Sequence, residues 1–326
     1  MDLSIVIVNW KSAVFLADCL TSIYAAQPHI SFEIVVIDNA SFDGCDRILS
    51  QQFPAVQFLQ STINAGFAGA NNLAFSHSSG ATVCFLNPDT VIRGAALQIL
   101  YDALNGIPDA GAVGALLFNG DGSLQTSCVL PFPTVLNQVF DIAWLRQRFP
   151  RAGLFGSAAI FAKAKLPQTV EAVSGACIMI RRKTFVEVGM FSTGYFMYAE
   201  DIDLCRKVRM AGHKVYLINA AEIVHFGGGS SNHQKDRLFS ALNIRESNYR
   251  LLRKFCGQGY ARLYRLSLGV SALMRLAGLL LCLPPAVIAG RGRGIVDISQ
   301  RWWYLLAWAV GSKRVSHSFS TGTPDA

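Results

Sequence analysis

The sequence predicts an α/β protein: a doubly wound, mostly parallel sheet followed by a helical C-terminal extension. Three observations predict it. Short apolar runs alternate with stretches of helical spacing through roughly the first hundred residues. The connections between them are short, as parallel crossover units require. Four polar residues, Asn9, Asp38, Asn64 and Asp89, fall just past successive apolar runs. In open α/β sheets, ligands bind beyond the carboxyl ends of the strands. Four polar residues at one such edge are hard to explain as four unrelated turns.

Taken in order, residues 3–10 (LSIVIVNW) read as a first buried strand, and residues 12–26 as a helix with apolar positions at Val14, Leu16, Leu20, Ile23 and Tyr24. Residues 32–41 (FEIVVIDNAS) form a second strand ending at Asp38 and Asn39. A short helix follows, with Ser41 or Asp43 as its N-cap. Residues 56–61 are a third strand. Residues 64–78 open with Gly66 and Gly69 and become a helix. Residues 81–87 are a fourth strand. Pro88 cannot donate to a sheet ladder, so this strand ends near Asn87 and leaves Asp89 just beyond it. Asn, Pro and Asp are also ordinary turn residues. Residues 95–105 form another helix. The segment 106–170 contains Gly and Pro and reads as less regular, with a flexible or acceptor-facing loop within 125–168. Residues 174–191 read as a strand and then a helix.

The bulk composition limits the function classes. Of 326 residues, 52% are hydrophobic, and the mean hydropathy is +0.33, high for a purely soluble protein. The formal net charge of +8 is uneven: residues from Lys235 onward carry 14 Lys/Arg against 4 Asp/Glu, and the rest of the chain is slightly acidic. A basic, aromatic tail suits nucleic acid or an anionic membrane. Its apolar content favours membrane, and no nucleic-acid partner is expected. The 8 cysteines are scattered with no CxxC pair, which fits buried free thiols in a reducing compartment. The N-terminus lacks a signal-peptide pattern, so the first 234 residues read as cytoplasmic.

Two further stretches carry chemistry. AEDIDLCRKVRMAG places Glu200, Asp201 and Asp203 at the start of a helix. Acids there suit the positive end of the helix dipole, and facing a cleft they also suit general-base work. KVYLINAAEIVHFGGGSS gives a strand, then His225, then Gly227-Gly228-Gly229, whose amides either approach a phosphate or form a hinge. A lone histidine is commonly a structural residue. There is no GxxxxGK[ST] and no GxGxxG, so P-loop and dinucleotide readings lack their signatures.

Together, SIVIVNW, VVIDNASFDG, NAGFAGANN, FLNPDT, SGACIMIRR, YFMYAEDIDLCRKVRMAGHKV and VHFGGGSS resemble the family 2 inverting glycosyltransferases of GT-A fold, most nearly the rhamnosyltransferase-type subgroup that builds bacterial surface polysaccharides. The resemblance covers roughly residues 3–231. It implies a nucleotide-sugar half over about 1–120 and an acceptor half over about 121–234. It implies that Val8, Asn9 and Asp38 hold the nucleotide base and ribose, and that Asn64 and Gly66 line the same pocket. Asn87-Pro88-Asp89 resembles the family's DXD element, with Asp89, joined by His225, holding Mg²⁺ or Mn²⁺ on the donor diphosphate. Asn87 stands where many relatives carry an acid. Asp201 matches the catalytic base, with Glu200 and Asp203 as further cleft carboxylates.

Other readings remain at this stage. A nucleotidyltransferase would want a Gly-rich basic loop after the first strand, and VNWKSAVFL has none. A non-catalytic nucleotide-sugar-binding protein would not need Asp89, Asp201 and His225 together. The tail, residues 235–326, holds an apolar stretch interrupted by Arg265, Arg275 and Pro284-Pro285. Its uncharged run 276–290 is shorter than the roughly 20 residues needed to span a bilayer. Trp302, Trp303, Tyr304 and Trp308 suit a membrane interface. Core helices or a homo-oligomer contact would also use such a segment. The expectation is peripheral attachment to the cytoplasmic face of a bacterial inner membrane, with a lipid-linked glycan as acceptor.

Overall fold

The computed structural model describes residues 1–149, 152–155, 160, 166–227, 234–288 and 292–311. They form two compact units. One takes in the described residues up to Phe132 and those from 160 to 227; the other takes in those of 133–155 and 234–311.

The first unit is a mixed α/β layer structure around one sheet. β1 (Leu3–Asn9), α1 (Ala13–Ala26), β2 (Phe32–Asn39), α2 (Cys45–Gln52), β3 (Gln57–Ser61), α3 (Gly66–Ser76) and β4 (Thr82–Leu86) follow in alternation, as their sequence periods predict. β1 and β4 are buried along their whole length, so they carry continuous apolar runs rather than alternation. The strand order β3-β2-β1-β4 is parallel throughout. Its register sets Asn9 directly beside Asp38 at the carboxyl edge.

After β4 come β5 (Thr90–Ile92), α4 (Ala96–Gly106) and β6 (Ala110–Phe118). β6 corrects the expectation of irregular structure after residue 106: it is a buried central strand. Its Gly and Ala content reflects close approach, not looseness. A Cβ on Gly111 would meet Val208 Cγ1 at 2.4 Å, and one on Gly114 would meet Val173 Cβ at 2.5 Å. β7 (Val129–Leu130) pairs with β9 (Ala172–Val173), and β8 (Gln168–Val170) lies on the sheet. Between them in sequence, α5 (Val135–Val139) and α6 (Ala143–Arg148) belong to the second unit.

β10 (Cys177–Arg181) enters antiparallel between β4 and β6. It is followed by α7 (Arg182–Glu187), α8 (Glu200–Met210) and β11 (Lys214–His225). β11 runs parallel to β6, and its last residues pair antiparallel with β5, which sets His225 against Thr90. The thiols of Cys19, Cys45, Cys84, Cys128, Cys177 and Cys205 are free and buried.

The second unit is helical. α5 opens with a capping box in which the Thr134 hydroxyl accepts from the Asn137 amide at 3.1 Å. α9 (Gln234–Ile288) breaks at Gly257, where φ is 88°, and packs against α10 (Gly292–Ala309). Trp308 is buried and donates from Nε1 to Glu246 Oε2 at 3.0 Å. Arg265 lies over the Trp308 ring and donates to the Trp308 carbonyl. Arg275 lies over Trp302 and donates to the Val139 carbonyl at 3.1 Å. The two arginines that interrupt the apolar sequence therefore pack within this unit. The uncharged run 276–290 stays short, but the helix stretch Ser240–Leu281, these arginines included, is long and apolar enough, by length and composition alone, to cross a membrane.

Candidate active site

The carboxyl edge of β1 and β2 is a closed hydrogen-bond cluster. Asn9 and Asp38 are both buried. The Asn9 amide Nδ2 donates to Asp38 Oδ1 at 2.9 Å, Asp43 Oδ1 at 3.0 Å and Ser41 Oγ at 3.2 Å. Facing acceptors on three sides, this amide is fixed with its NH₂ toward them. Its Oδ1 is buried and has no partner among the described residues. Asp38 Oδ2 accepts from the Ser41 and Phe42 amides at 3.1 and 2.9 Å and from Gln60 Nε2 at 2.8 Å. These bonds hold Ala40 and Phe42 at φ 60° and 50°, left-handed conformations costly for residues with a Cβ. The sequence points to Ser41 or Asp43 as the N-cap of α2; the cap position is Gly44. Asp43 instead accepts from the Ala13 amide at the start of α1 at 3.0 Å. Burial alone would raise the Asp43 carboxyl, but donation from Asn9, Ala13 and Cys45 holds it below the ordinary range. Val8 packs in the core one residue earlier and pairs with Ile37.

Asp38, Asp43 and Cys45 also bring three potential metal-ligand atoms within 4.8 Å of one another. The carboxylate oxygens there already accept from amides and hydroxyls. Burial, then the charges of Asp38 and Asp43, push the Cys45 thiol up, so it stays neutral. This cluster is built to shape a loop.

A second network joins β2 to the start of α3. Asn39 Nδ2 donates to Asn64 Oδ1 at 2.9 Å, Asn39 Oδ1 accepts from the Ala65 amide at 2.9 Å, and Asn64 Oδ1 accepts from the Gly66 amide at 3.0 Å. Gly66 has φ 70°, and a Cβ there would lie 2.4 Å from the Phe196 carbonyl oxygen. The Phe67 amide donates to that same oxygen at 3.3 Å. Gly66→Ala should therefore push the Phe196 loop off α3 and weaken donor binding about tenfold, since a left-handed Ala costs roughly 1 kcal/mol before any clash. Titration of nucleotide sugar into both proteins checks this; equal affinity would detach Gly66 from the site.

The third group is the one implied to hold a cation. Asn87 donates its amide hydrogen to the Ala176 carbonyl at 3.0 Å. Asp89 Oδ1 lies 3.3 Å from His225 Nε2, and Asn87 Nδ2 lies 3.3 Å from the same nitrogen. On the far side of the ring, Nδ1 is 2.8 Å from Gln125 Oε1. A carboxylate oxygen and an imidazole nitrogen, both largely buried and converging on one point, fit a small divalent cation with further oxygens from a diphosphate. Gly228 and Gly229, proposed to approach a phosphate, lie outside the described residues.

The acids of α8 divide by environment. Tyr198 and Ala199 are both left-handed, at φ 71° and 67°, and deliver the chain into the helix. Asp203 is fully buried, and its carboxylate accepts from Ser192 Oγ at 2.6 Å and Tyr195 OH at 3.1 Å and faces Lys207 Nζ at 3.5 Å. It thereby anchors the loop before α8. Asp201 accepts from the Gly175 amide at 3.0 Å and from its neighbour Ile202 at 2.8 Å. Burial raises its carboxyl, against the pull of these amides. Glu200 is buried with no partner for Oε2 among the described residues. Burial, then the charge of Asp201, push it up to about 8.

Two adjacent residues link these groups: Gly175 donates to Asp201, and Ala176 accepts from Asn87. The β-turn before β10 thus ties the base candidate to the cation candidate. A family model described as glycosyl transferase family 2 matches residues 4–189. The chain belongs to glycosyl transferase family 2. The chain is rhamnosyltransferase-like in sequence. It is 28% identical over 210 residues to an N-acetylglucosaminyl-diphospho-decaprenol L-rhamnosyltransferase of Mycobacterium tuberculosis, covering 59% of this chain and 66% of that relative, just under two thirds. It is 24% identical over 260 residues to the rhamnosyltransferase WbbL of Escherichia coli, covering 76% of this chain and 91% of that one. In fold it is similar to a mannosyltransferase of Pyrobaculum calidifontis solved with GDP-mannose and Mn²⁺, with a TM-score of 0.58 at 19% identity over 95% of this chain and 86% of the other. The fold is GT-A-like, with the family 2 motifs at the carboxyl edge of its sheet.

Proposed function

We propose that this family 2 protein is an inverting glycosyltransferase that moves rhamnose from dTDP-rhamnose to a hydroxyl of a lipid-linked glycan in cell-surface polysaccharide synthesis. The observation that supports the reading is the Gly175-Ala176 link: Gly175 donates to Asp201, the proposed proton acceptor, and Ala176 accepts from the Asn87 amide, two residues before Asp89, the proposed diphosphate-side ligand. The names of the mycobacterial and E. coli relatives support the choice of sugar and of a lipid-linked acceptor.

Asn9 Oδ1, buried and without a partner among the described residues, is an unused acceptor at the strand end assigned to the nucleotide base. Asp38 holds the loop that frames it. Asp89 and His225 would hold Mg²⁺ or Mn²⁺, which neutralises charge developing on the leaving diphosphate. Asp201 takes the proton of the acceptor hydroxyl as it attacks from the opposite face. Glu200, neutral near pH 7, leaves the pair with one negative charge rather than two.

Calorimetric titration of the protein with dTDP-, UDP- and GDP-sugars tests the reading. Saturable binding of dTDP-rhamnose in the presence of Mg²⁺ is expected, and no saturation by any nucleotide sugar would overturn it. A UDP- or GDP-sugar binding tightest would keep the transferase and change the donor. Asp89→Ala should weaken donor binding at least tenfold and remove its dependence on divalent metal. Undiminished wild-type turnover in EDTA would leave Asp89 without a metal role.

A further inference from the structure

The Nε2 lone pair of His225 faces two competing demands. Asp89 Oδ1, 3.3 Å away, would draw a proton onto Nε2. A cation at that place needs Nε2 unprotonated, since the neutral ring carries its hydrogen on one nitrogen only. On the same side the Asn87 amide Nδ2, also 3.3 Å from Nε2, donates to its lone pair and opposes Asp89. The group that tips this balance lies on the other side of the ring, in a hairpin that the sequence motifs did not single out.

His225 Nδ1 is 2.8 Å from Gln125 Oε1. Gln125 Nε2 donates to Asn119 Oδ1 at 3.0 Å. Asn119 Nδ2 donates to Ser123 Oγ at 2.8 Å, and the Ser123 hydroxyl donates to Asp121 Oδ1 at 2.6 Å. The direction of this chain follows from its far end. A carboxylate only accepts, so the Ser123 hydrogen points to Asp121. The Ser123 oxygen then receives the Asn119 NH₂, and Asn119 Oδ1 is left to receive the Gln125 NH₂. Gln125 therefore presents its carbonyl oxygen to the ring and accepts from Nδ1–H. The Ser123 hydroxyl and amide hold Asp121 below the ordinary carboxylate range, so this end stays ionised. The backbone fixes the hairpin independently: the Gln125 amide donates to the Leu117 carbonyl at 2.8 Å, and the Asn119 amide to the Ser123 carbonyl at 2.8 Å.

We propose that Gln125 is a positioning residue: the relay Asp121–Ser123–Asn119–Gln125 holds His225 in the Nδ1–H tautomer, against the pull of Asp89, so that Nε2 offers its lone pair to a divalent cation. Outer partners of a histidine ligand set both its tautomer and its orientation. With Gln125 removed, Nδ1–H loses its acceptor and Asp89 is expected to outweigh the Asn87 amide, so that the proton moves to Nε2 and the nitrogen is closed to metal. The inference rests on the metal role proposed for His225, but the tautomer is measured with neither donor nor metal present.

The experiment is long-range ¹H–¹⁵N NMR of the full chain labelled at histidine, at about pH 9, above the ordinary histidine range, with His225 assigned by its loss in His225→Gln. The wild type is expected to show the Nδ1–H pattern, and Gln125→Leu the Nε2–H pattern. Gln125→Glu, whose carboxylate also accepts, should keep Nδ1–H, which separates the hydrogen bond from a packing defect. Mn²⁺ binding followed by electron paramagnetic resonance should weaken about 10–100-fold in Gln125→Leu and stay within a fewfold of wild type in Gln125→Glu. An Nε2–H wild type, or an unchanged tautomer in Gln125→Leu, overturns the proposal. A shifted tautomer with unchanged Mn²⁺ affinity would keep the relay and overturn its link to the metal.

Discussion

Asp201→Asn is expected to abolish sugar transfer while leaving donor affinity within a fewfold of wild type. The substitution keeps the shape of the side chain and the acceptor oxygen for one of the amides of Gly175 and Ile202. It removes the one property a general base needs, a lone pair basic enough to take a proton. General-base catalysis contributes on the order of 10²–10⁴-fold, so turnover should fall by about that much. Steady-state rates and calorimetric donor titration on the same preparation separate the two effects. Near-normal turnover would move the role to Glu200. The pH profile gives a second reading. Burial raises the Asp201 carboxyl, so the acid limb of kcat/KM should fall above the ordinary aspartate value near pH 4. Glu200, at about 8 in the fold against roughly 4.3 unfolded, binds its proton more tightly in the native state. The stability this lends is full below the unfolded carboxyl range and is lost as pH rises through about 8. Glu200→Gln should flatten that dependence in denaturant titrations.

What was legible in the sequence was whatever announced itself by period or punctuation. β1, β2 and β4 are continuous apolar runs stopped by Asn9, Asp38-Asn39 and Asn87-Pro88, and the parallel register that sets Asn9 beside Asp38 follows from the alternation of strand and helix. The strand β6 was hidden because Gly111 and Gly114 carry the close packing against Val208 and Val173, and glycine in sequence reads as a loop. Gln125 was hidden for another reason. It has no charge and no motif spacing, and it lies 100 residues before the histidine it contacts. Only the pairing of β11 with β5 and β6 brings them together. Asn39 and Asp43 stood inside the quoted motif, but as a strand end and a helix cap. Their work is to tie neighbouring loops, which depends on long-range contacts that local patterns do not encode.

The outward face of α9 is expected to hold the protein on an anionic membrane. Leu263, Leu266, Val270, Leu273, Met274, Leu280 and Leu281 are exposed. At 100° per residue they fall within an arc of about 120°. The opposite arc carries Tyr264, Leu268 and Ala272, which are buried, and Arg265 and Arg275, whose charges are spent on Trp308, Trp302 and the Val139 carbonyl. A soluble helix turns its charges out and its leucines in; here the arginines go in and the leucines out. Burial of apolar side chains in the headgroup boundary stabilises such a helix, and each Lys or Arg near an anionic leaflet adds roughly 1 kcal/mol. The net charge of +10 over 235–326 supplies that second contribution. Truncation would remove Trp308 from the interior of the unit, so substitution of the exposed face is the cleaner test. Leu266→Gln, Val270→Gln, Leu273→Gln and Met274→Gln together leave the inward contacts in place. The wild type should co-float with vesicles containing anionic lipid, and the fourfold variant should stay in the soluble fraction with an unchanged circular dichroism spectrum. Extraction of the wild type by alkaline carbonate is expected for a helix lying in the interface; resistance would mean that Ser240–Leu281 crosses the bilayer. Equal flotation of variant and wild type would end the attachment by this face, leaving a second protein surface as what those leucines meet.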